Sequence, residues 1–191
     1  MEKFHLAGAK KKARREGRTL VFLDESGLSE RPYRVRTWAV RGHTPVLQHT
    51  FSWERLAVIA GLTWRNFYFQ VRPGTIRAPQ VVGFLKHLRR HLRAPLLVLW
   101  DGAPIHRAKL VRAYLESLHG AIHVERLRAY APEVNPVECL WGYWKRTELA
   151  NFCPKNLWEL GHFATQALRR LRARRRRPQL ITAFFHQAEL W

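Results

Sequence analysis

Two short apolar segments, each followed by an aspartate, constrain the fold of this chain most strongly. Residues 19–23 (TLVFL) precede Asp24, and residues 96–100 (LLVLW) precede Asp101. Apolar runs of this length, bounded by turn residues, predict buried strands. A carboxylate at the end of a buried strand is held rigidly and faces the rim of the sheet. We therefore expect an acidic rim built on a rigid sheet.

The rest of the pattern predicts a mixture of strands and helices. Residues 33–37 alternate between apolar and charged types, which predicts a half-exposed strand. Residues 55–62 and 67–71 predict a hairpin because their connection is short. Apolar residues at helical spacing predict further helices. These begin near residues 81, 111, 136 and 155, and a short strand covers 122–125. This order predicts an α/β fold: a mixed sheet with helices packed on both faces.

The charge balance indicates a nucleic-acid partner. The chain has 191 residues, which suits one domain, and carries 34 Lys and Arg against 14 Asp and Glu, a formal net charge of +20. Residues 1–18 hold seven basic and two acidic residues, and residues 169–177 hold seven arginines. We interpret these ends as phosphate-binding arms, with solvated tails as the alternative. The predicted division is a basic arm over 1–18, a folded core over 19–152 and a helical, arginine-rich extension over 153–191.

Membrane and disulfide classes are disfavoured. The longest apolar stretches, such as residues 56–62, are too short to span a bilayer, and the basic N-terminus lacks an apolar signal segment. Cys139 and Cys153 have no zinc-ligand spacing, which favours free thiols in a reducing compartment. We expect a cytoplasmic protein.

A third carboxylate, Glu138, has two interpretations. Asn135 suits a helix N-cap and Pro136 the first helical position, so that Glu138 falls where a capping-box glutamate would lie. Alternatively, Glu138, Gly142 and Lys145 share a helix face on which a phosphate backbone can approach closely. Asp24 and Asp101 have a similar alternative, since Asp often caps turns. If Glu138 is only a cap, the third acidic ligand must be sought at Glu133 or Glu25.

Three carboxylates that meet at one rim form an oxygen-rich pocket for Mg²⁺. Two such ions can activate water on one side of a phosphodiester and stabilise the leaving oxygen on the other. An acidic pocket of this kind in a strongly basic chain predicts an enzyme that cuts or joins nucleic acid.

Three motifs resemble the mariner superfamily of DNA transposases, in particular its bacterial insertion-sequence branch. They are FLDESG at residues 22–27, WDGAPIH at 100–106 and APEVNPVE at 131–138, followed by LW at 140–141. The 36 residues between Asp101 and Glu138 are close to the spacing of that superfamily. RTWA at 36–39 and NF at 151–152 also resemble the bacterial branch. Gly102 departs from the Asn that many relatives have there.

The resemblance implies a ribonuclease-H-like fold with a mixed five-stranded sheet. It implies that residues 19–152 form the catalytic domain. Asp24 and Asp101 would be metal ligands on adjacent central strands, and Glu138 would complete the site from a helix. The implied cofactor is Mg²⁺, with Mn²⁺ as a substitute and two ions per site. The implied reaction is hydrolysis at transposon ends, followed by attack of the freed 3′-hydroxyl on target DNA.

The implied partners are double-stranded DNA, as transposon ends and target, and a second copy of the chain in a homodimer. The helix-turn-helix domains of full-length relatives are missing here, which implies a separately encoded N-terminal half. A bacterial, nucleoid-associated location follows. The alternatives are a ribonuclease-H-like nuclease without strand transfer and an inactive DNA-binding remnant.

Weaker candidates surround the acidic residues. Six residues are predicted to contact DNA: His106, Lys145, Arg146, Arg174, Arg175 and Arg176. For His106 a structural, hydrogen-bonded role is the alternative. Glu25 is expected to face solvent, with a supporting role behind the ligands as the alternative.

Overall fold

The computed structural model describes residues 6–49, 52–127, 135–174 and 177–188. The strands are β1 Thr19–Ser29, β2 Arg55–Leu62, β3 Phe67–Pro73, β4 Leu96–Trp100 and β5 Ile122–Arg126. The helices are α1 Leu6–Arg15, α2 Ala78–His91, α3 Lys109–Glu116, α4 Pro136–Tyr143, α5 Leu157–Ala173 and α6 Arg177–Gln187. None of the described helices is long and apolar enough to cross a membrane.

The five strands form one mixed sheet in the order β3-β2-β1-β4-β5. β1 to β3 form an antiparallel meander, and β4 and β5 add to it in parallel. The predicted hairpin and the predicted five-stranded mixed sheet are both confirmed. Parallel strands need long crossovers, and α2 and α3 supply them between β3, β4 and β5.

Helices cover both faces of the sheet, as predicted. On one face α2 and α3 pack through residues such as Phe84, Leu88 and Val111, which are fully buried. On the other face α1, α4, α5 and α6 form a second core with the sheet. The arm predicted over 1–18 contributes Ala9 to this core, and the C-terminal extension contributes Phe185. Both ends of the described chain therefore contain helices that pack against the sheet.

Two strand predictions differ from the structure. β1 runs five residues past Asp24, so Asp24 lies within the strand and not at its end. The pairing explains this: the β1–β4 ladder stops at Phe22 and Leu99, whereas the β1–β2 ladder continues to Ser29 and Arg55. The strand predicted over 33–37 is also wrong, because only Tyr33 pairs, in a single bridge to Ala150.

Candidate active site

Asp24 is the buried member of the acidic group. Its side chain points from β1 toward α4, where the Trp141 indole Nε1 donates to Asp24 Oδ2 at 2.8 Å. The residue is only 7% exposed. Burial, followed by the negative charges of Glu138, Glu25 and Asp101, raises the pKa of Asp24 to about 8, against the opposing effect of the Trp141 hydrogen bond. The three predicted ligands thus lie near enough to repel one another.

Asp101 lies directly after β4, at the rim next to β1. Its Oδ1 accepts a hydrogen bond from Ala103 N at 2.9 Å, so the turn-capping alternative is a real part of its role. The same Oδ1 lies 3.0 Å from His106 Nδ1. The side chain is 52% exposed. Asp101 is therefore oriented through one oxygen, while its carboxylate remains accessible to a ligand from solvent.

His106 joins two of the acidic residues. Its Nδ1 faces Asp101, and its Nε2 lies 3.0 Å from Glu25 Oε1. Its ring stacks on Trp100 with centroids 4.3 Å apart and planes 8° apart. Burial lowers the pKa of His106, but the hydrogen bond and charge of Glu25, together with Asp101, outweigh it and raise the pKa overall. The ring is a buried bridge between β1 and the loop after β4.

This placement bears on two of the weaker predictions. The His106 side chain is 2% exposed and both ring nitrogens face carboxylates, which favours the structural alternative over direct contact with DNA. Glu25 does not face solvent as expected: its side chain is 17% exposed and pairs with His106. Desolvated carboxylates need such a partner, because an unpaired buried charge is costly.

Glu138 is exposed in the first turn of α4. Asn135 is the N-cap, as predicted, and its Oδ1 accepts from Val137 N at 3.2 Å. Within the described residues, no hydrogen bond returns from the Glu138 carboxylate to the Asn135 backbone, so the capping box is not formed. The carboxylate is left free to face Asp24, whose pKa it helps to raise.

The predicted helix face beside Glu138 changes where α4 widens into a π-helical turn at Trp144–Glu148. Lys145 turns toward β1, where its Nζ donates to Ser26 Oγ at 2.6 Å. Arg146 instead lines a cleft of about 620 Å³ with Glu138 and Gly142. A π turn bonds residues five apart, which rotates the side chains that follow. Arg146, rather than Lys145, therefore completes the open face.

Three arginines remain among the residues predicted to contact DNA, and the structure describes one of them, Arg174. Arg174 pairs with Glu148 at 2.7 Å and donates to the Tyr143 hydroxyl at 3.0 Å, which ties the end of α5 to the π turn. Arg175 and Arg176 lie outside the described residues, as does Glu133, the alternative ligand.

The donor set fits a hard divalent cation. Over the residues that the structure describes, no three His, Cys, Asp or Glu side chains are grouped tightly enough to hold an ion as they stand. However, the second oxygen of Asp24, that of Asp101 and the Glu138 carboxylate make no hydrogen bonds to described residues. Oxygen ligands with unrelieved negative charge are what Mg²⁺ and Mn²⁺ bind.

Comparison with known families identifies the class of protein. Residues 19–157 match the family described as DDE superfamily endonuclease. This span is most of the chain and contains Asp24, Asp101 and Glu138. The chain therefore belongs to the DDE superfamily endonuclease family. Among curated proteins, none matches the chain.

Solved structures of the Mos1 mariner transposase have a similar fold. The paired end complex with Mg matches with a TM-score of 0.66 and 19% identity, covering 96% of this chain and 57% of that one. The strand transfer complex matches at 0.56 and 18%, covering 96% and 58%. The catalytic domain with raltegravir and Mn matches at 0.61 and 15%, covering 99% and 94%.

These matches confirm the ribonuclease-H-like fold predicted from the sequence. The chain spans less than three fifths of the Mos1 chains in the two DNA-complex structures, but nearly all of the catalytic domain.

Two contacts that support the acidic residues were not predicted from the sequence. One is the hydrogen bond from Trp141 to Asp24, although a buried indole N–H needs an acceptor. The other is the pairing of His106 with Glu25. The position of Trp141 three residues after Glu138, on the helix that faces the sheet, was the available signal.

Proposed function

We propose that this chain is the catalytic part of a DNA transposase that cleaves transposon ends and joins them to target DNA. Three observations support the proposal: family membership, the Mos1-like fold, and the closeness of Glu138 and Asp101 to the buried Asp24 carboxylate, whose pKa they help to raise. Family membership carries most weight, because the matched residues 19–157 contain Asp24, Asp101 and Glu138.

Asp24, Asp101 and Glu138 would hold the metal. When bound, Mg²⁺ or Mn²⁺ supplies Lewis-acid activation of an attacking oxygen and stabilises the leaving oxygen. The chain's own contribution is orientation. Trp141 holds one oxygen of Asp24 at 2.8 Å, and His106 holds one oxygen of Asp101 at 3.0 Å. Arg146 and Gly142 leave an open, cationic approach to Glu138 for a phosphate backbone.

Several finer features belong to the same proposal. We infer two ions per site, a homodimer and double-stranded DNA as both transposon end and target. The matched Mos1 structures are a strand transfer complex and a paired end complex with Mg, and they support the homodimer and the DNA partners by analogy. We also infer membership of the bacterial insertion-sequence branch and a nucleoid-associated location. These rest on the motifs alone.

The test is a pair of assays on the purified chain. Plasmid DNA should be nicked with Mg²⁺ or Mn²⁺ and remain intact with EDTA. Pre-cleaved transposon ends should then be joined to a target duplex. Nicking without joining would indicate a simple nuclease, and neither reaction would indicate an inactive remnant. Asp101→Asn is the matched control, since it keeps the side-chain shape and should abolish both reactions.

A further inference from the structure

A second basic surface lies at the opposite edge of the sheet from β5. Two adjoining clefts, of about 570 and 370 Å³, follow the edge strand β3 between α2 and α5. They share Val71, Arg72, Thr165 and Arg169, so they form one continuous groove. We call this groove the β3-edge cleft. None of the residues that line it is acidic.

Arginine and histidine side chains from three separate elements converge on the β3-edge cleft. Arg72 comes from β3, Arg169 and Arg172 from α5, and His87 and His91 from α2. Arg172 stacks its guanidinium on Phe69, 5.5 Å from the ring centroid. His87 and His91 lie with ring centroids 4.3 Å apart. Burial, then the charges of His91, Arg172 and Arg90, lower the pKa of His87.

More basic side chains gather here than are needed to protect the edge strand β3 from pairing with another chain. A single charged residue, such as Arg72, is enough to keep an edge from pairing with another chain. Here the positive charges of Arg72, Arg169 and Arg172 are instead gathered from β3 and α5, with no carboxylate among the residues that line the cleft. Such crowding opposes folding and is relieved when an anion binds.

The shape of the β3-edge cleft suits a polyanion rather than a single phosphate. From Trp158 to Arg172 the cleft follows 15 residues of α5, an axial rise of about 21 Å at 1.5 Å per residue. That is the length of about six base pairs at 3.4 Å each. Arg72 and Arg169 are exposed, so their guanidinium groups are available to phosphates.

The cleft is also well placed with respect to the candidate active site. Asp24 pairs with Ala60, and Ala60 pairs with Phe69, so these side chains share one face and one row of the sheet. Two strand spacings, about 10 Å, separate Asp24 from Phe69. Asp24 and the cleft therefore lie at the same level along the strands, two strands apart.

We propose that the β3-edge cleft is a second binding surface for the backbone of duplex DNA, separate from the acidic site. The inference takes DNA as the ligand from the proposed function but does not depend on catalysis. Its principal contacts are Arg72, Arg169 and Arg172.

The test measures binding of a short labelled duplex in EDTA, so that loss of catalysis cannot affect the result. The variant is Arg72→Gln/Arg169→Gln, which changes two exposed side chains. The matched control is Lys109→Gln/Arg112→Gln on α3, which removes the same charge from exposed positions elsewhere. Thermal unfolding should be unchanged in both.

We expect the DNA affinity of the cleft variant, and not that of the control variant, to depend less steeply on salt than the affinity of the wild type. Each lost phosphate contact should reduce the slope of log K against log salt by about 0.9, or about 1.8 for the pair. Equal slopes for the cleft variant, the control and the wild type would overturn the proposal, as would equal losses in both variants. If the cleft variant binds poly-glutamate more weakly than the wild type does but binds DNA equally well, the cleft is a site for an acidic protein. That result would also overturn the proposal.

Discussion

Asp24→Asn should make the metal-free protein more stable while abolishing metal-dependent cleavage. The asparagine has the same shape, and its Oδ1 can accept the hydrogen bond that Trp141 donates to Asp24 at 2.8 Å. What it removes is the cost of a buried negative charge beside Glu138 and Asp101. Nearly all mutations destabilise proteins, so a gain in stability here is a specific prediction.

The magnitude follows from the pKa of Asp24, which is raised from 3.8 to about 8. Because the folded state binds the proton more tightly than the unfolded state, the carboxyl's contribution to stability is fully present below pH 3.8. It is lost as the pH rises toward 8. The loss amounts to about 1.4 kcal/mol per pH unit, with an upper limit of about 6 kcal/mol. The advantage of Asp24→Asn should therefore grow with pH and level off above pH 8.

The assay is urea unfolding of wild type and Asp24→Asn in EDTA, at a series of pH values from mildly acidic to alkaline. Glu116→Gln, which removes an exposed carboxylate from α3, is the control and should leave the pH dependence unchanged. Added Mg²⁺ should then stabilise the wild type but not Asp24→Asn. A free-energy difference between wild type and Asp24→Asn that stays constant over this pH range would refute the reasoning.

Two further predictions concern residues that neighbour Asp24, and a third concerns the binding of DNA by the whole chain. Glu138→Gln should leave unfolding stability within about 1 kcal/mol, since Asn135 caps α4 without it, and should lower plasmid cleavage by orders of magnitude; wild-type cleavage would show that Glu138 is not a ligand. His106→Gln should destabilise the fold by about 1–3 kcal/mol, because Glu25 loses a charged partner. Since the pKa of His106 is raised above 6.5, this loss should be largest below pH 6.5 and shrink as the pH rises; urea unfolding at several pH values tests the sign. If the whole chain neutralises about six phosphates, DNA affinity should fall about a thousandfold between 50 and 200 mM salt, and a strong preference for one short sequence at high salt would contradict this.

The sequence predicted those parts of the site that depend on local signals. The apolar run before Asp101 identifies β4, and Asn135 with Pro136 identifies the start of α4. Each of these elements is specified within a few neighbouring residues. The apolar run and the helix-capping residues were therefore enough to place Asp101 after β4 and Glu138 in α4.

The parts that were wrong or missed depend on long-range pairing. The extension of β1 past Asp24 requires β2, whose paired residues lie from 34 positions away, for Glu25 and Ile59, down to 26, for Ser29 and Arg55. The Trp141–Asp24 bond spans 117 positions, and the His106–Glu25 bond spans 81. The π turn after α4 left no recognisable pattern among its residues. Register and packing decide such contacts, and a single sequence does not display them.

The burial of Asp24 among other acids also couples the binding of the cation to the binding of DNA. The acidic pocket belongs to a chain of formal net charge +20, and that surrounding field weakens the binding of a divalent cation to the bare protein. DNA phosphates cancel part of the field, so bound DNA raises the affinity of the pocket for the cation. By thermodynamic reciprocity, the cation raises the affinity for DNA by the same factor. We therefore expect the protein to bind its cation more weakly alone than in complex with DNA.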